Sequence, residues 1–243
     1  MIANKRKTVF QFKQFDIHQD RCTMKVGTDG IMLGAWAPVD AARRVLDIGT
    51  GSGVIAIMLA QRAPEAAITA VEIEEASFTQ ARDNMAACTW CDRLVAVHQS
   101  IQDFSRQQTE RFDLIVSNPP FFSGGTFSHN QDRNSVRHTV KLPNGDLLSA
   151  ARNLLAPTGR FCVILPHLEG LRFVELARSY KLYCTRMTEV FPTAEKPVER
   201  LLLQFEPEAR EVQDDRLIIQ RSGERNDYSE AYVALTQDFY TIM

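Results

Sequence analysis

From Arg44 onward the apolar positions fall into short runs of two alternating kinds. Residues 45–48, 67–71, 94–98, 112–117 and 160–165 are compact aliphatic and β-branched runs, bounded by glycine, proline or polar residues, and read as strands. Between them, 54–62, 75–87, 147–154 and 168–180 carry helical spacing. Strands separated by helices imply a parallel sheet with both faces covered. Two further strands, near 182–190 and 200–206, have only Phe191-Pro192-Thr193-Ala194-Glu195-Lys196-Pro197 between them, so they are expected to pair antiparallel as a hairpin at the sheet edge. Ahead of this alternation, Val9, Phe10, Phe12, Phe15 and Ile17 suggest one or two short strands. Thr28-Asp29-Gly30 opens a helix with Thr28 or Asp29 as its cap, and Pro38 stops it. Behind it, Leu217-Ile218-Ile219 and a helix over 229–240 complete the chain. The expectation is a single domain over 1–243, with an N-terminal extension 1–43 and a C-terminal addition 207–243.

Composition narrows the class. With 243 residues and 44% hydrophobic, the chain builds a substantial core. No apolar run approaches the roughly 20 residues of a membrane span. The charged N-terminus has no apolar stretch behind it, so it is not a signal peptide and a cytoplasmic location is expected. The five cysteines are odd in number and scattered, which makes reduced thiols the default. Cys88 and Cys91 have the spacing of half a zinc site, without a second pair. The five histidines show no ligand spacing either, and no metal is expected.

The net charge of −2 argues against a uniformly basic nucleic-acid binder, but its distribution is uneven. Residues 1–28 hold Lys5, Arg6, Lys7, Lys13, Arg21 and Lys25 against two aspartates, and residues 129–141 hold Arg133, Arg137 and Lys141 against one. Such local basic faces suit phosphate contacts, or are simply solvated.

The chemistry-bearing residues sit at strand ends. Asp47-Ile48-Gly49-Thr50-Gly51-Ser52-Gly53 closes the first strand of the alternation. Ligands of open parallel sheets bind at such carboxyl ends, where glycines permit tight turns and close backbone approach. A dinucleotide fingerprint needs Gly-x-Gly-x-x-Gly; Gly49, Gly51 and Gly53 give Gly-x-Gly-x-Gly instead, which favours S-adenosyl-L-methionine over NAD. Glu72, ending the next strand, is expected to bind both ribose hydroxyls. The third strand is followed by His98-Gln99-Ser100-Ile101-Gln102-Asp103, where Asp103 or the Ile101 backbone would meet the adenine ring. Thr28 and Asp29 either cover the methionine end or only cap their helix.

Asn118-Pro119-Pro120-Phe121 follows the apolar run 112–117. An exocyclic amine on a flat ring is a poor nucleophile because its lone pair is delocalised. The Asn118 side-chain oxygen and the Pro119 carbonyl can accept both of its N–H bonds and stabilise the positive charge that grows on nitrogen during transfer. Pro119 and Pro120 stiffen the turn, and Phe121 offers a stacking face. The combination implies N-methylation. Adenine in RNA, guanine N2 in RNA, a protein glutamine and adenine in DNA are the competing acceptors. Phe121 and the short upstream segment disfavour glutamine, and the lack of a target-recognition domain disfavours DNA. The lack of a duplicated domain disfavours the large guanine enzymes. A methyltransferase-fold module that binds RNA without catalysis is the alternative of a different class.

The resemblance then becomes specific. Residues 25–36 (Lys25-Val26-Gly27-Thr28-Asp29-Gly30 onward), Asn118 to Phe122, and the segment from Phe191 through Arg200 resemble the bacterial tRNA1(Val) adenine-N6-methyltransferase family across nearly the whole chain. The resemblance implies a Rossmann-like α/β class I methyltransferase fold, a mostly parallel seven-stranded sheet with an antiparallel edge strand and helices on both faces. It also implies S-adenosyl-L-methionine as cofactor and an unpaired tRNA adenine, at position 37 beside the anticodon, as acceptor. Lys5, Arg6, Lys7, Lys25, Arg133, Arg137, Lys141 and Arg200 would then contact the RNA. Nothing in the sequence requires a second copy, and a monomer is the working expectation.

Overall fold

The structure, a computed structural model, describes residues 8–22, 24–120, 142–224 and 226–241. Strands β1 (Val9–Gln11) and β2 (Asp16–His18) form a separate antiparallel hairpin. Helix α1 (Thr28–Trp36) follows, then β3 (Arg44–Ile48), α2 (Val54–Arg62), β4 (Ala67–Glu72), α3 (Glu75–Ala87) and β5 (Leu94–His98). The chain continues through α4 (Ile101–Gln107), β6 (Phe112–Ser117), α5 (Asn144–Leu154), β7 (Leu155–Pro166) and α6 (His167–Ser179). It ends with β8 (Tyr183–Phe191), β9 (Arg200–Glu206), β10 (Gln213–Ile218) and α7 (Glu230–Thr236).

The main sheet has the order β10-β8-β9-β7-β6-β3-β4-β5. The order runs outward on both sides from β3 and β6, whose adjacent carboxyl ends mark the topological switch point. Both faces are covered, and the side chains alternate between two cores. Val45, Leu114, Val116, Cys162 and Ile164 face α1, α2 and α3; Leu46, Ile115, Phe161, Val163 and Leu165 face α4, α5 and α6. Covering on both faces is why these strands read as continuous apolar runs rather than alternating ones.

The sheet departs from expectation at one side. β8 and β9 do pair antiparallel, but β9 lies inside the sheet between β7 and β8 rather than at its edge. Leu201, Leu202, Leu203 and Phe205 are fully buried on its two faces, which an edge strand could not achieve. An eighth strand, β10, takes the edge parallel to β8. Its Asp214, Asp215 and Arg216 suit an edge, where charged side chains discourage further pairing. Helix α4 was not legible because only Ile101 and Phe104 anchor its seven residues.

Helix α1 carries the entrance to the site. Seven of its nine residues are buried, so it is apolar all round rather than amphipathic. Gly34 lets α1 approach α2 closely: a Cβ there would lie 2.9 Å from Met58 Sδ. Arg62 donates to the Gly34 and Ala37 carbonyls at 2.8 and 2.7 Å, satisfying the C-terminal end of α1. The N-cap is Gly27, without a side-chain bond, so neither Thr28 nor Asp29 caps the helix.

Candidate active site

Three strand ends converge. The glycine loop leaves β3 with Gly49, Gly51 and Gly53 at φ of 71°, 57° and 84°. Residues with a Cβ rarely adopt that region, and the path turns the chain directly into α2. The Gly49 and Thr50 amides continue the ladder onto the Val71 carbonyl, at 2.9 and 3.2 Å. The Gly51 amide donates to Glu72 Oε2 at 2.9 Å, while Glu72 Oε1 accepts from the Ile73 and Glu74 amides at 2.9 and 3.0 Å. Glu72 is thus buried and fixed by three backbone donors at the end of β4. Ile73 beside it is 43% exposed, an apolar surface set next to a carboxylate.

Asp47 lies under the loop and is fully buried. Its Oδ2 accepts from the Thr50 hydroxyl at 2.6 Å, and its Oδ1 has no hydrogen-bond partner among the described residues. Burial raises its pKa to about 7, opposed by the Thr50 hydroxyl, reinforced by the Glu72 charge and slightly opposed by the Ala56 amide.

At the end of β6 the Ser117 hydroxyl donates to the Ile48 carbonyl at 2.9 Å, tying the two central strands together just before Asn118. Asn118 is half-buried, Pro119 buried and Pro120 exposed. The Asn118 Oδ1 is buried without a partner among the described residues. Gly30 packs beside it, so that a Cβ there would lie 3.8 Å from the Asn118 amide nitrogen. Phe121, the last residue of the motif, lies outside the described residues, as do Lys5, Arg6, Lys7, Arg133, Arg137 and Lys141.

A cavity of about 600 Å³ joins these parts. Thr28, Asp29, Gly49, Gly51, Asn118, Lys25 and Arg200 line it, so the structure brings half of the described candidates together in its wall. Arg200 Nε donates to Asp29 Oδ2 at 2.8 Å, which joins the two sequence segments that carried the resemblance most specifically. Lys25 donates to the Gln19 carbonyl. Glu72 and Ile101 lie outside that lining, the Ile101 side chain being buried in the core on the other face of the sheet. Asp103 does not fit an adenine-binding role: its carboxylate accepts from the Ser100 hydroxyl at 2.7 Å and pairs with Arg106, while Ser100 caps α4. Sequence reasoning missed Ile73, whose exposure beside Glu72 is visible only in three dimensions, and the tyrosines 228, 232 and 240 that line the cavity from the C-terminal segment.

These features fit S-adenosyl-L-methionine. Apart from the adjoining residues of the loop, no described atom lies within 4 Å of where a Cβ would stand at Gly49 or Gly51, leaving room for a ligand against the backbone. The buried, unpaired Asp47 oxygen provides an acceptor suited to a cation. Among the described residues no cluster of histidine, cysteine and carboxylate side chains could hold a metal, and no helix is long and apolar enough to cross a membrane.

Comparison with known proteins agrees with this geometry. The family model for the methyltransferase small domain matches residues 31–185. A tRNA1(Val) (adenine(37)-N6)-methyltransferase of Escherichia coli O157:H7 is 46% identical over 239 residues, covering 98% of this chain and 97% of the relative. The enzyme of the same description from Shigella dysenteriae serotype 1 is also 46% identical over the same shares. Among solved structures, a predicted O-methyltransferase from Agrobacterium tumefaciens superposes with a TM-score of 0.67 at 16% identity, over 87% of this chain and 96% of that one, and shows the shared fold. The chain belongs to the tRNA1(Val) (adenine(37)-N6)-methyltransferase family, within the S-adenosyl-L-methionine-dependent methyltransferases of the small-domain class.

Proposed function

We propose that this protein methylates N6 of an unpaired adenine in tRNA, adenine 37 of tRNA1(Val), in the cytoplasm. The observation that carries the reading is the Asn118 Oδ1, buried at the end of β6 without a partner among the described residues, on a side chain that lines the cavity shared with the glycine loop. A buried acceptor without a donor is costly in the free protein, and a substrate amine would remove that cost. The acceptor's value is greatest where positive charge develops on the amine, so it acts on the transition state more than on binding.

S-adenosyl-L-methionine supplies the electrophilic methyl group when bound. The glycine loop, Asp47 and Glu72 would hold it, Glu72 through the ribose hydroxyls. Ile73, with the Ile101 backbone, would meet the adenine ring. Asn118 and Pro119 would orient the amine, with Phe121 against its ring. Lys25, Arg200 and the basic residues 5–7, 133, 137 and 141 would meet the phosphates. Arg200 does so while held by Asp29, which sets its direction and lowers the local charge.

Asn118→Ala should leave the KM for S-adenosyl-L-methionine near that of the unchanged protein and reduce kcat on tRNA by about 100-fold or more, the cost typical of a lost positioned polar group. Steady-state methyl-transfer kinetics check this. Turnover within a few-fold of the unchanged enzyme would remove Asn118 from the role.

A further inference from the structure

The cavity has a wall that neither the glycine loop nor β6 supplies. Tyr228, Tyr232 and Tyr240 line it from the chain beyond β10, outside the matched region 31–185. Tyr232 is buried, whereas Tyr228 and Tyr240 are half-buried and present part of their surface to the cavity. The Tyr228 and Tyr232 ring centroids lie 5.3 Å apart, those of Tyr232 and Tyr240 lie 6.5 Å apart, and the Tyr232 and Tyr240 hydroxyls are 3.2 Å apart. Burial pushes the pKa values of both Tyr232 and Tyr240 upward, so these phenols stay neutral at physiological pH.

The wall is fixed before any ligand arrives. Tyr240 pairs with Phe12, the Lys13 amide donates to the Phe239 carbonyl at 2.8 Å, and the Ser229 side chain caps α7. Half-buried, preorganised aromatic rings in a cavity also lined by Lys25 and Arg200 suit an unpaired nucleobase, which proteins hold by stacking while cations meet its phosphate. In the function proposed above Asn118 and Pro119 serve the target amine and Phe121 its ring, which leaves the tyrosines for a neighbour.

We propose that Tyr228 and Tyr240 form a stacking subsite for an unpaired base adjacent to the methylated adenine, a proposal that rests on the tRNA reading above. The C-terminal segment then belongs to the acceptor site rather than serving only as a brace across α1.

The test compares Tyr228→Ala and Tyr240→Ala with Tyr228→Phe and Tyr240→Phe, using an unmodified tRNA1(Val) transcript. An anticodon stem-loop carrying 2-aminopurine on one side or the other of the target supplies a second readout. Each alanine variant should raise the KM for tRNA by about 5- to 100-fold, as expected for one lost stacking contact, and should abolish the fluorescence quenching seen on binding. The phenylalanine variants should retain both. S-adenosylhomocysteine affinity should match the unchanged protein throughout. Alanine variants with unchanged KM and quenching would overturn the subsite. So would a rise in KM accompanied by a parallel loss of S-adenosylhomocysteine binding, which would make the tyrosines a brace. An unchanged protein that is inert on tRNA would instead overturn the parent reading, so the two failures are distinguishable.

Discussion

Asp47 and Asn118 each hold one buried side-chain oxygen that takes no hydrogen bond among the described residues, and both stand at carboxyl ends of the central strands. For Asp47 the environment also sets a pH dependence. Its pKa in the folded protein is raised to about 7, while an unfolded aspartate titrates near pH 4. Between those values the folded state holds a proton that the unfolded chain has released. Stability of the ligand-free protein from this group therefore falls as pH rises from about 4 to 7 and levels off above. A cationic ligand at Oδ1 favours the ionised carboxylate and reverses the preference. The rise in Tm produced by excess S-adenosyl-L-methionine should consequently be larger at pH 7.5 than at pH 5.5, and Asp47→Asn should flatten the difference. Scanning calorimetry at both pH values measures it. Equal gains at the two pH values in the unchanged protein would place the cofactor's positive charge elsewhere.

Among the elements, the turn from β3 into α2 is the most constrained. Gly53 stands at φ 84° as the N-cap of α2, and a Cβ there would meet Met85 Cε at 3.2 Å and the Ala81 backbone at 3.4 Å. Gly53→Ala should cost about 1–2 kcal/mol from the left-handed backbone, with packing against Ala81 adding to it. Calorimetry should show a Tm lower by several degrees, and an unchanged Tm would mean that the loop adopts another path. The same turn shows what a sequence can disclose. Glycines at alternate positions after a buried strand admit few backbone paths, so the loop, Glu72 and Asn118 were legible from spacing. The buried strands β3, β4 and β6 were legible because burial on both faces leaves little but aliphatic residues. Helix α4 and the edge strand β10 were not, since both are short and their few apolar residues acquire meaning only from neighbours remote in sequence. The placement of β9 inside the sheet depends likewise on β10 covering β8, which no local pattern announces.

At the scale of the molecule, the two ends of the described chain meet. The β1–β2 hairpin pairs with the C-terminal segment through Phe12 and Tyr240, and is tied to the glycine loop through Asn84, whose amide donates to both the His18 and Ser52 carbonyls at 2.8 Å. Segments flanking the strand–helix alternation thereby reach the cavity from both sides, and Lys25 and the tyrosines line it with Asn118. The tyrosines were invisible in the linear pattern because only the pairing of Phe12 with Tyr240 and its neighbourhood brings them to the cavity. The resulting arrangement has a cofactor loop at the switch point, an amine acceptor next to it and a rim built by the chain ends, as required for an unpaired base presented by a folded RNA. The most direct measurement is methyl transfer from labelled S-adenosyl-L-methionine to an unmodified tRNA1(Val) transcript, with nucleoside mass spectrometry of the product and a second transcript carrying guanine at position 37. The expected result is N6-methyladenosine in the first transcript and no label in the second. N2-methylguanosine, label retained after the position 37 replacement, or no transfer to either transcript would contradict it.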